Sequence, residues 1–428
     1  MQTPMQAADA APDPRTFGNE LVSAQAFADL PRIHRALAAL RAHGRPLWVT
    51  PDNFRPFWAV GTHAQIVAAS SDNDLFISSR RLNLMSRLQE AAAFKGAERY
   101  GRVLRTLVHM DEPDHKKYRA VAQYWFTAAA VKRRQGILQD LAREFAAKFA
   151  AAPEGTIDFA AEVATLFPLR VIMAILGIPL DDLALMHRLT KTLSAPNDPD
   201  FSIDTSRGDS MFDSVPEFTD YFLKVIEDRR CQPRDDLASV IANGSIDDGP
   251  LGELEAVSYF ITMAVAGHDT TAAAMAGGCQ ALAERPQDWA RLKARPELLK
   301  QTADEMIRWV TPIKHFMRSA TRDCELGGQA IRKGDGLALF YLSGNFDETE
   351  FAAPFDFRID RHPNRQIAFG FGPHVCLGMA LSRLELTVWF GEMLKHLDWI
   401  EMAGPTRLLE SNFLGGYKSV PIRFKRAA

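Results

Sequence analysis

The longest apolar helical pattern in the chain, Leu251–Arg285, is the strongest constraint on its fold. A helix that is apolar on nearly every side is buried, so the chain must build a large core around this run. Within it, Ala266-Gly267-His268-Asp269-Thr270-Thr271 sets a glycine and four polar residues in apolar surroundings. Gly267 costs roughly 1 kcal/mol relative to Ala in a helix interior. A buried Asp without a partner is protonated or strongly destabilising. Two readings account for the cluster. One is a hydrogen-bonded kink, with Thr270 bonding back to a carbonyl. The other is a groove where a small oxygen ligand meets an acid–alcohol proton relay.

Helical patterns also run over Ala24–Ala42, His115–Phe126, Ala128–Ala151, Phe159–Leu176, Asp181–Leu193, Pro216–Arg229 and Pro296–Trp309. Short strands are expected at Leu47–Thr50, Phe57–Val60, Cys324–Leu326, Gln329–Ile331 and Leu337–Tyr341. Asp72–Arg105 has no clean period and reads as a long loop with short helical pieces, a length that is usually functional. Ala195–Arg207 and Phe351–Gln366 read as loops. With no internal repeat and no Gly-, Ser- or Pro-rich linker, the expectation is one mainly α domain with a small β region over residues 15–428. An Ala- and Pro-rich leader, residues 1–14, is expected to be disordered.

A net charge of −3 and the lack of any run of five like charges argue against nucleic acid as a partner. The most apolar window, Phe159–Leu180, is broken by Glu162, Pro168 and Arg170 and makes a poor membrane span. The four cysteines, Cys231, Cys279, Cys324 and Cys376, are far apart, with no CxxC, so a reducing, cytoplasmic setting is expected.

One of these cysteines stands out. Phe369-Gly370-Phe371-Gly372-Pro373-His374-Val375-Cys376-Leu377-Gly378 puts Cys376 behind a glycine-rich turn and ahead of an amphipathic run, Leu377 to Leu397. Near a helix N-terminus, unpaired N–H groups favour a thiolate. Such a group is a nucleophile, a metal ligand or a redox centre, unless it is a buried structural cysteine. The flanking glycines and phenylalanines suit a large flat ligand lying over the sulfur. Two weaker signals accompany it. Glu305 and Arg308 share a helix face at i,i+3. His115, Arg119, Arg318 and His374 lie amid apolar sequence and together could neutralise a dianionic ligand edge.

These features together resemble the cytochrome P-450 superfamily of haem-thiolate monooxygenases, from about Met110 to Phe424. The Phe369–Gly378 stretch is similar to its haem-binding loop, Ala266–Thr271 to its oxygen-binding helix, and Glu305-Met-Ile-Arg308 to its Glu-x-x-Arg pair, with Arg361 the third member. The resemblance implies a triangular, mainly helical fold around haem b, with Cys376 as the axial iron ligand. It implies that Ala266, Gly267, Phe369, Gly370 and Gly378 border the haem and that His115, Arg119, Arg318 and His374 hold its propionates. Asp269 and Thr270 would deliver protons during dioxygen activation, and Glu305, Arg308 and Arg361 would form a structural network. Two positions depart from the family pattern: Phe346 stands where many relatives carry Arg, and Gln366 where His is common. Both put local packing or partner contacts in question rather than haem binding.

The chain looks like the bacterial soluble type, a monomer supplied by a 2Fe-2S ferredoxin and an NAD(P)H-dependent reductase. Lys116, Lys117 and Arg365 are expected to form the docking patch. By family position, the substrate lining would be Leu84, Met85, Phe94, Leu107, Val108, Thr262, Val265, Ala266, Ile313, Phe316, Phe413 and Leu414. Apart from Lys314 nearby, this set is nearly all apolar, and it points to a compact hydrophobic substrate such as a monoterpenoid or an aromatic hydrocarbon. The rival readings are a peroxide-driven haem-thiolate enzyme, a non-catalytic haem protein and, more distantly, a thiol hydrolase.

Overall fold

The computed structural model describes residues 12–92, 105–152, 155–194, 198, 215–247 and 249–427. Its first helix, Pro14–Val22, starts where Asp13 accepts the Thr16 N–H at 2.8 Å, with Pro14 at the first helical position. Pro14 therefore belongs to a helix, although the expected leader included it. Most helices follow the sequence pattern, but several long patterns divide where a side chain captures a backbone group. Ala24–Ala42 splits at Asp29, whose carboxylate accepts the Arg32 N–H at 3.0 Å and caps Leu30–Ala42. Ala128–Ala151 breaks at Arg134, and Phe159–Leu176 opens with a π turn before the Leu166–Leu176 helix.

The long apolar run also divides, into Glu253–Ala266 and Asp269–Ala283. The cause is His268, which is fully buried and tied to two other elements. Its Nε2 lies 2.7 Å from the Thr165 carbonyl, and its Nδ1 lies 3.1 Å from Thr190 Oγ1. Beyond the break, Asp269–Ala283 packs closely on Leu299–Val310. A Cβ on Gly277 would stand 2.4 Å from Val310 Cγ2, and one on Gly278 2.6 Å from Met306 Cγ, so only glycine allows this approach.

The β region is larger than the sequence pattern suggests. One five-stranded sheet runs Leu47–Val49, Phe57–Val60, Gly336–Phe340, His315–Ala320, Phe76–Ile77. Phe57–Val60 and Gly336–Phe340 pair in parallel and the other neighbours are antiparallel. The His315–Ala320 strand has no clean alternation, because most of it is buried on both faces. A second sheet joins Leu397–Met402 to Pro421–Arg426 and to Thr156–Asp158. The main core gathers Phe149, Phe159 and Phe167 around Trp389, and a second cluster fills the space between the sheet and the N-terminal helices. No described helix is long and apolar enough to cross a membrane.

Three histidines, His268 and His315 buried and His34 half-buried, make the fold sensitive to acid. Burial lowers His34 and His315 to about 3 and His268 to about 4, from 6.5. His315 is held in the neutral form, with Nε2 accepting the Leu84 N–H at 2.9 Å and Nδ1 facing the Asn412 carbonyl at 3.1 Å. Unfolding frees all three to bind protons, so their contribution is complete above pH 6.5 and is lost as the pH falls towards 3. Glu385 acts in the opposite sense, since burial raises its pKa well above 4.5. Unfolding near pH 5.5 should therefore take up at least about two protons. The slope of folding stability against pH measures this, and a flat profile between pH 5 and 6.5 would contradict neutral buried imidazoles.

Candidate functional site

The cysteine loop is a series of tight turns. Gly370 N–H donates to Ile367 O at 2.9 Å, Val375 N–H to Gly372 O at 3.0 Å, and Cys376 N–H to Phe369 O at 2.8 Å. Gly370 and Gly372 have φ of 74° and 71°, the left-handed region that favours glycine. A Cβ on Gly372 would also lie 2.3 Å from Ser70 O, so the loop rests directly on the end of the His63–Ser71 helix. Gly378 then caps Met379–His396, accepting the Ser382 N–H at 3.0 Å. Arg383 lies over the Phe369 ring at 5.2 Å and binds Asp304 at 2.8 Å, which holds the loop to the Leu299–Val310 helix.

The Cys376 side chain is accessible, yet it sits deep enough that burial pushes its thiol pKa up. The Gly378 N–H and the charges of Arg119 and Arg383 pull the other way. A cation brought to the sulfur would complete the shift to thiolate. Among the described residues no group of three or more His, Cys, Asp or Glu could hold a metal ion. A metal at Cys376 would have to arrive with most of its own ligands, as an iron porphyrin does.

The four scattered residues His115, Arg119, Arg318 and His374 come together beside this loop. The His115 and His374 rings lie 4.0 Å apart, and His374 Nε2 lies 3.3 Å from Ser78 Oγ. Burial and the charges of Arg318, His115 and Arg119 hold His374 down at about 3. Burial and Arg119 likewise lower His115. His115 Nδ1 and Arg318 Nε are buried without hydrogen-bond partners among the described residues. The nearest carboxylate oxygen to His115 is that of Glu112, at 3.6 Å. Arg318 otherwise donates to the Met317 carbonyl at 2.8 Å and lies against the buried Tyr341 phenol. A buried guanidinium nitrogen and a buried imidazole nitrogen left without partners fit a ligand with an anionic edge, and so fit haem propionates.

At the helix break, Thr270 Oγ1 donates to Ala266 O at 2.9 Å. The kink and the opening therefore coexist: the hydroxyl bonds back, while Ala266 is exposed. A Cβ on Gly267 would stand 3.1 Å from both Ile172 Cδ1 and Met263 O, so this glycine lets the bent helix press against Leu166–Leu176. Asp269 is buried and accepts from Lys191 Nζ at 2.5 Å. Thr271 Oγ1 donates to Ser382 Oγ at 3.3 Å, which ties the break to the helix that follows Cys376.

Glu305, Arg308 and Arg361 are all buried. Arg308 binds the Glu305 carboxylate through Nε and Nη2, each at 2.8 Å, and Arg361 Nε lies 3.1 and 3.0 Å from its two oxygens. The two guanidinium groups also donate to the carbonyls of Asn345, Pro354, Ala352, Ala353 and Asp356. The departures from the family pattern fit into this region. The Arg308 guanidinium stands 5.1 Å from the buried Phe346 ring, which packs on His34, Trp309 and Phe355. Gln366 Oε1 accepts the Ala368 N–H at 2.8 Å.

The expected substrate-lining residues are placed unevenly. Ile313 bridges to Leu414, and Phe316 meets Phe413 edge-on at 5.5 Å, so these four converge. Thr262, Val265 and Ala266 line up on the helix before the break. Leu107 and Val108 form a short 3₁₀ turn, with Leu107 in the main core. Leu84 is buried in the sheet-side core and Met85 is half-buried beside it. Phe94 lies outside the described residues. Lys191, Ser78 and Tyr341 were not anticipated. Nothing local marks them, because each meets its partner across at least 78 residues of chain or between separate elements.

Comparison with known proteins gives a consistent result. The family model described as Cytochrome P450 matches residues 98–423. A Pseudomonas protein, cytochrome P450-terp, is 33% identical over 423 residues, covering 97% of this chain and 98% of its own length. The steroid C26-monooxygenase of Mycobacterium tuberculosis is 33% identical over 365 residues, covering 85% of this chain and 81% of its own. Among solved structures, CYP108D1 from Novosphingobium aromaticivorans superposes with a TM-score of 0.89 at 37% identity, over 97% of this chain and 99% of that one. Mycobacterium marinum CYP268A2, in complex with pseudoionone, gives 0.86 at 30% identity, over 97% and 100%.

Proposed function

Because this chain belongs to the cytochrome P450 family and is a monooxygenase, we propose that it hydroxylates a compact hydrophobic substrate, a monoterpenoid or an aromatic hydrocarbon. The observation that carries this reading is the meeting of Cys376 with the buried, unpartnered nitrogens of Arg318 and His115, next to an opened helix. Haem b, held through Cys376 with His115, Arg119, Arg318 and His374 at its propionates, would supply dioxygen activation and C–H oxidation. The apolar convergence of Ile313, Phe316, Phe413 and Leu414 supports the substrate class. So does the complex of a similar protein with pseudoionone.

Within this reading the chain's own residues manage protons. Thr270 rests with its hydroxyl donated to Ala266 O, and rotation of Cα–Cβ turns the same proton into the cleft. Asp269, held by Lys191, is the adjoining group that can exchange a proton with it. Burial keeps His268 neutral at about 4, so it anchors the break without adding charge beside Asp269. A Thr270→Ala variant should keep consuming reductant while product falls by about 10²-fold and hydrogen peroxide rises. The ratio of product to reductant consumed measures this. A non-catalytic haem carrier predicts that parent and variant behave alike.

Electrons would come from a 2Fe-2S ferredoxin and an NAD(P)H-dependent reductase, with the chain working as a cytoplasmic monomer. The docking patch is less basic than its composition suggests, since Lys117 pairs with Asp247 and Arg365 with Glu350. Lys116 is exposed and has no ion pair among the described residues. Lys116→Glu should slow reduction by an acidic ferredoxin by about tenfold at low salt, and less at high salt. An unchanged rate at low salt would remove Lys116 from the docking surface.

A further inference from the structure

A cavity of about 370 Å³ lies apart from Cys376, walled by Phe27, His34, Trp309, Lys314, Phe346 and Leu409 among others. None of the described residues assigned above to haem or substrate lines it. Its size is that of a small-molecule pocket, and it has the usual make-up: apolar and aromatic walls with few converging polar groups.

Those polar groups are unusual. Lys314 is almost fully buried, and its Nζ donates to Val310 O at 2.7 Å. No carboxylate among the described residues pairs with it. Burial alone brings it down to about 7. His34, also in the cavity wall, keeps Nδ1 without a hydrogen-bond partner among the described residues. Three positive charges act on His34, those of Lys314, Arg41 and Arg308. Arg41 is matched by Glu348 and Arg308 by Glu305, but Lys314 has no such match. The lysine is also held in position. A Cβ on Gly415 would stand 2.1 Å from Lys314 Cε, so the lysine stem lies flat on a glycine. The backbone beneath is fixed by Lys314 N–H to Phe413 O at 2.8 Å and Gly415 N–H to Pro312 O at 2.7 Å. Burial disfavours the ammonium form of this fixed lysine, and an anion with an apolar body would restore it.

We propose that this cavity is a second binding site, for a small aromatic or alicyclic carboxylate, with the carboxylate on Lys314 Nζ and the ring among Phe27, Trp309 and Phe346. The site is independent of the hydroxylation reading, since no part of it uses turnover.

The test uses the full-length holoenzyme with its iron site blocked by an azole inhibitor. The probe is 4-(trifluoromethyl)benzoate, followed by fluorine NMR, against its neutral amide. The acid should broaden saturably while the azole's optical spectrum stays unchanged, and the amide should bind at least about tenfold more weakly. Lys314→Met should weaken the acid by a similar factor. Should that variant not fold, Leu409→Trp, which fills the cavity and keeps the lysine, should abolish binding. Absence of saturable binding, displacement of the azole, equal affinity for acid and amide, or full binding in either folded variant would each overturn the proposal.

Discussion

Glu305→Gln should cost the holoprotein about 3–5 kcal/mol, because the carboxylate it neutralises is the counterion of two buried guanidinium groups. Arg308 and Arg361 are 0% and 4% exposed, and both bind this carboxylate. Arg358 N–H and Asn364 Nδ2 also donate to it, at 3.0 and 3.2 Å. The amide keeps the shape but leaves two buried charges uncompensated, and such a loss is a large part of a typical domain's stability. Denaturant unfolding measures it. Glu305→Gln combined with Arg361→Met should be less destabilised than the sum of the two single variants, because the double variant leaves one fewer buried charge. A loss below about 1 kcal/mol in Glu305→Gln would mean that water or another anion already serves the arginines. Phe346 contributes here by lying under the Arg308 guanidinium, where another arginine would add a third cation to one carboxylate.

Cys376→Ser should abolish hydroxylation, lowering turnover by at least about a thousandfold, while leaving the loop intact. The loop's turns are made by the backbone of Ile367, Phe369, Gly370, Gly372, Val375 and Cys376, and the Cys376 N–H bond to Phe369 O does not involve the sulfur. The variant therefore separates ligand chemistry from folding. Serine does not supply the soft thiolate donor that tunes a haem iron for O–O cleavage. Haem content, the optical spectrum of the reduced protein with carbon monoxide, and product formation are the measurements. Haem retained without the thiolate red shift and without turnover is the expected result. Turnover within tenfold of the parent would remove Cys376 as the axial ligand.

The residues that carry these predictions differ in how far they could be read from the chain. Cys376 and its turn were legible, because φ-permissive glycines and a following helix are local properties. The helix break at Gly267–Thr271 was legible as an oddity, and its kink reading holds: Thr270 bonds back to Ala266 O, and Ala266 is exposed beside it. Arg361 entered only through family resemblance, since nothing in its surroundings points to Glu305, 56 residues earlier. The His315–Ala320 strand was missed because burial on both faces erases the alternation that marks a strand. Leu84, expected by family position to line the substrate site, is buried in the sheet-side core, a placement that no local pattern signals.

By itself the sequence determined the cysteine and its turn, the interrupted apolar helix and the mainly α architecture. Each of these rests on spacing and backbone preference within a few residues. Only the tertiary structure decided that Lys191 holds Asp269, that Phe346 lies under Arg308, and that His115 and Arg119 of one helix meet Arg318 and His374 of two other elements beside Cys376. It also decided that Lys314 is buried in a second cavity rather than standing free at the cleft. The physical reason is the same in each case. A charge or ring acquires its energy from what surrounds it in space, and those surroundings come from distant parts of the chain that no local period connects.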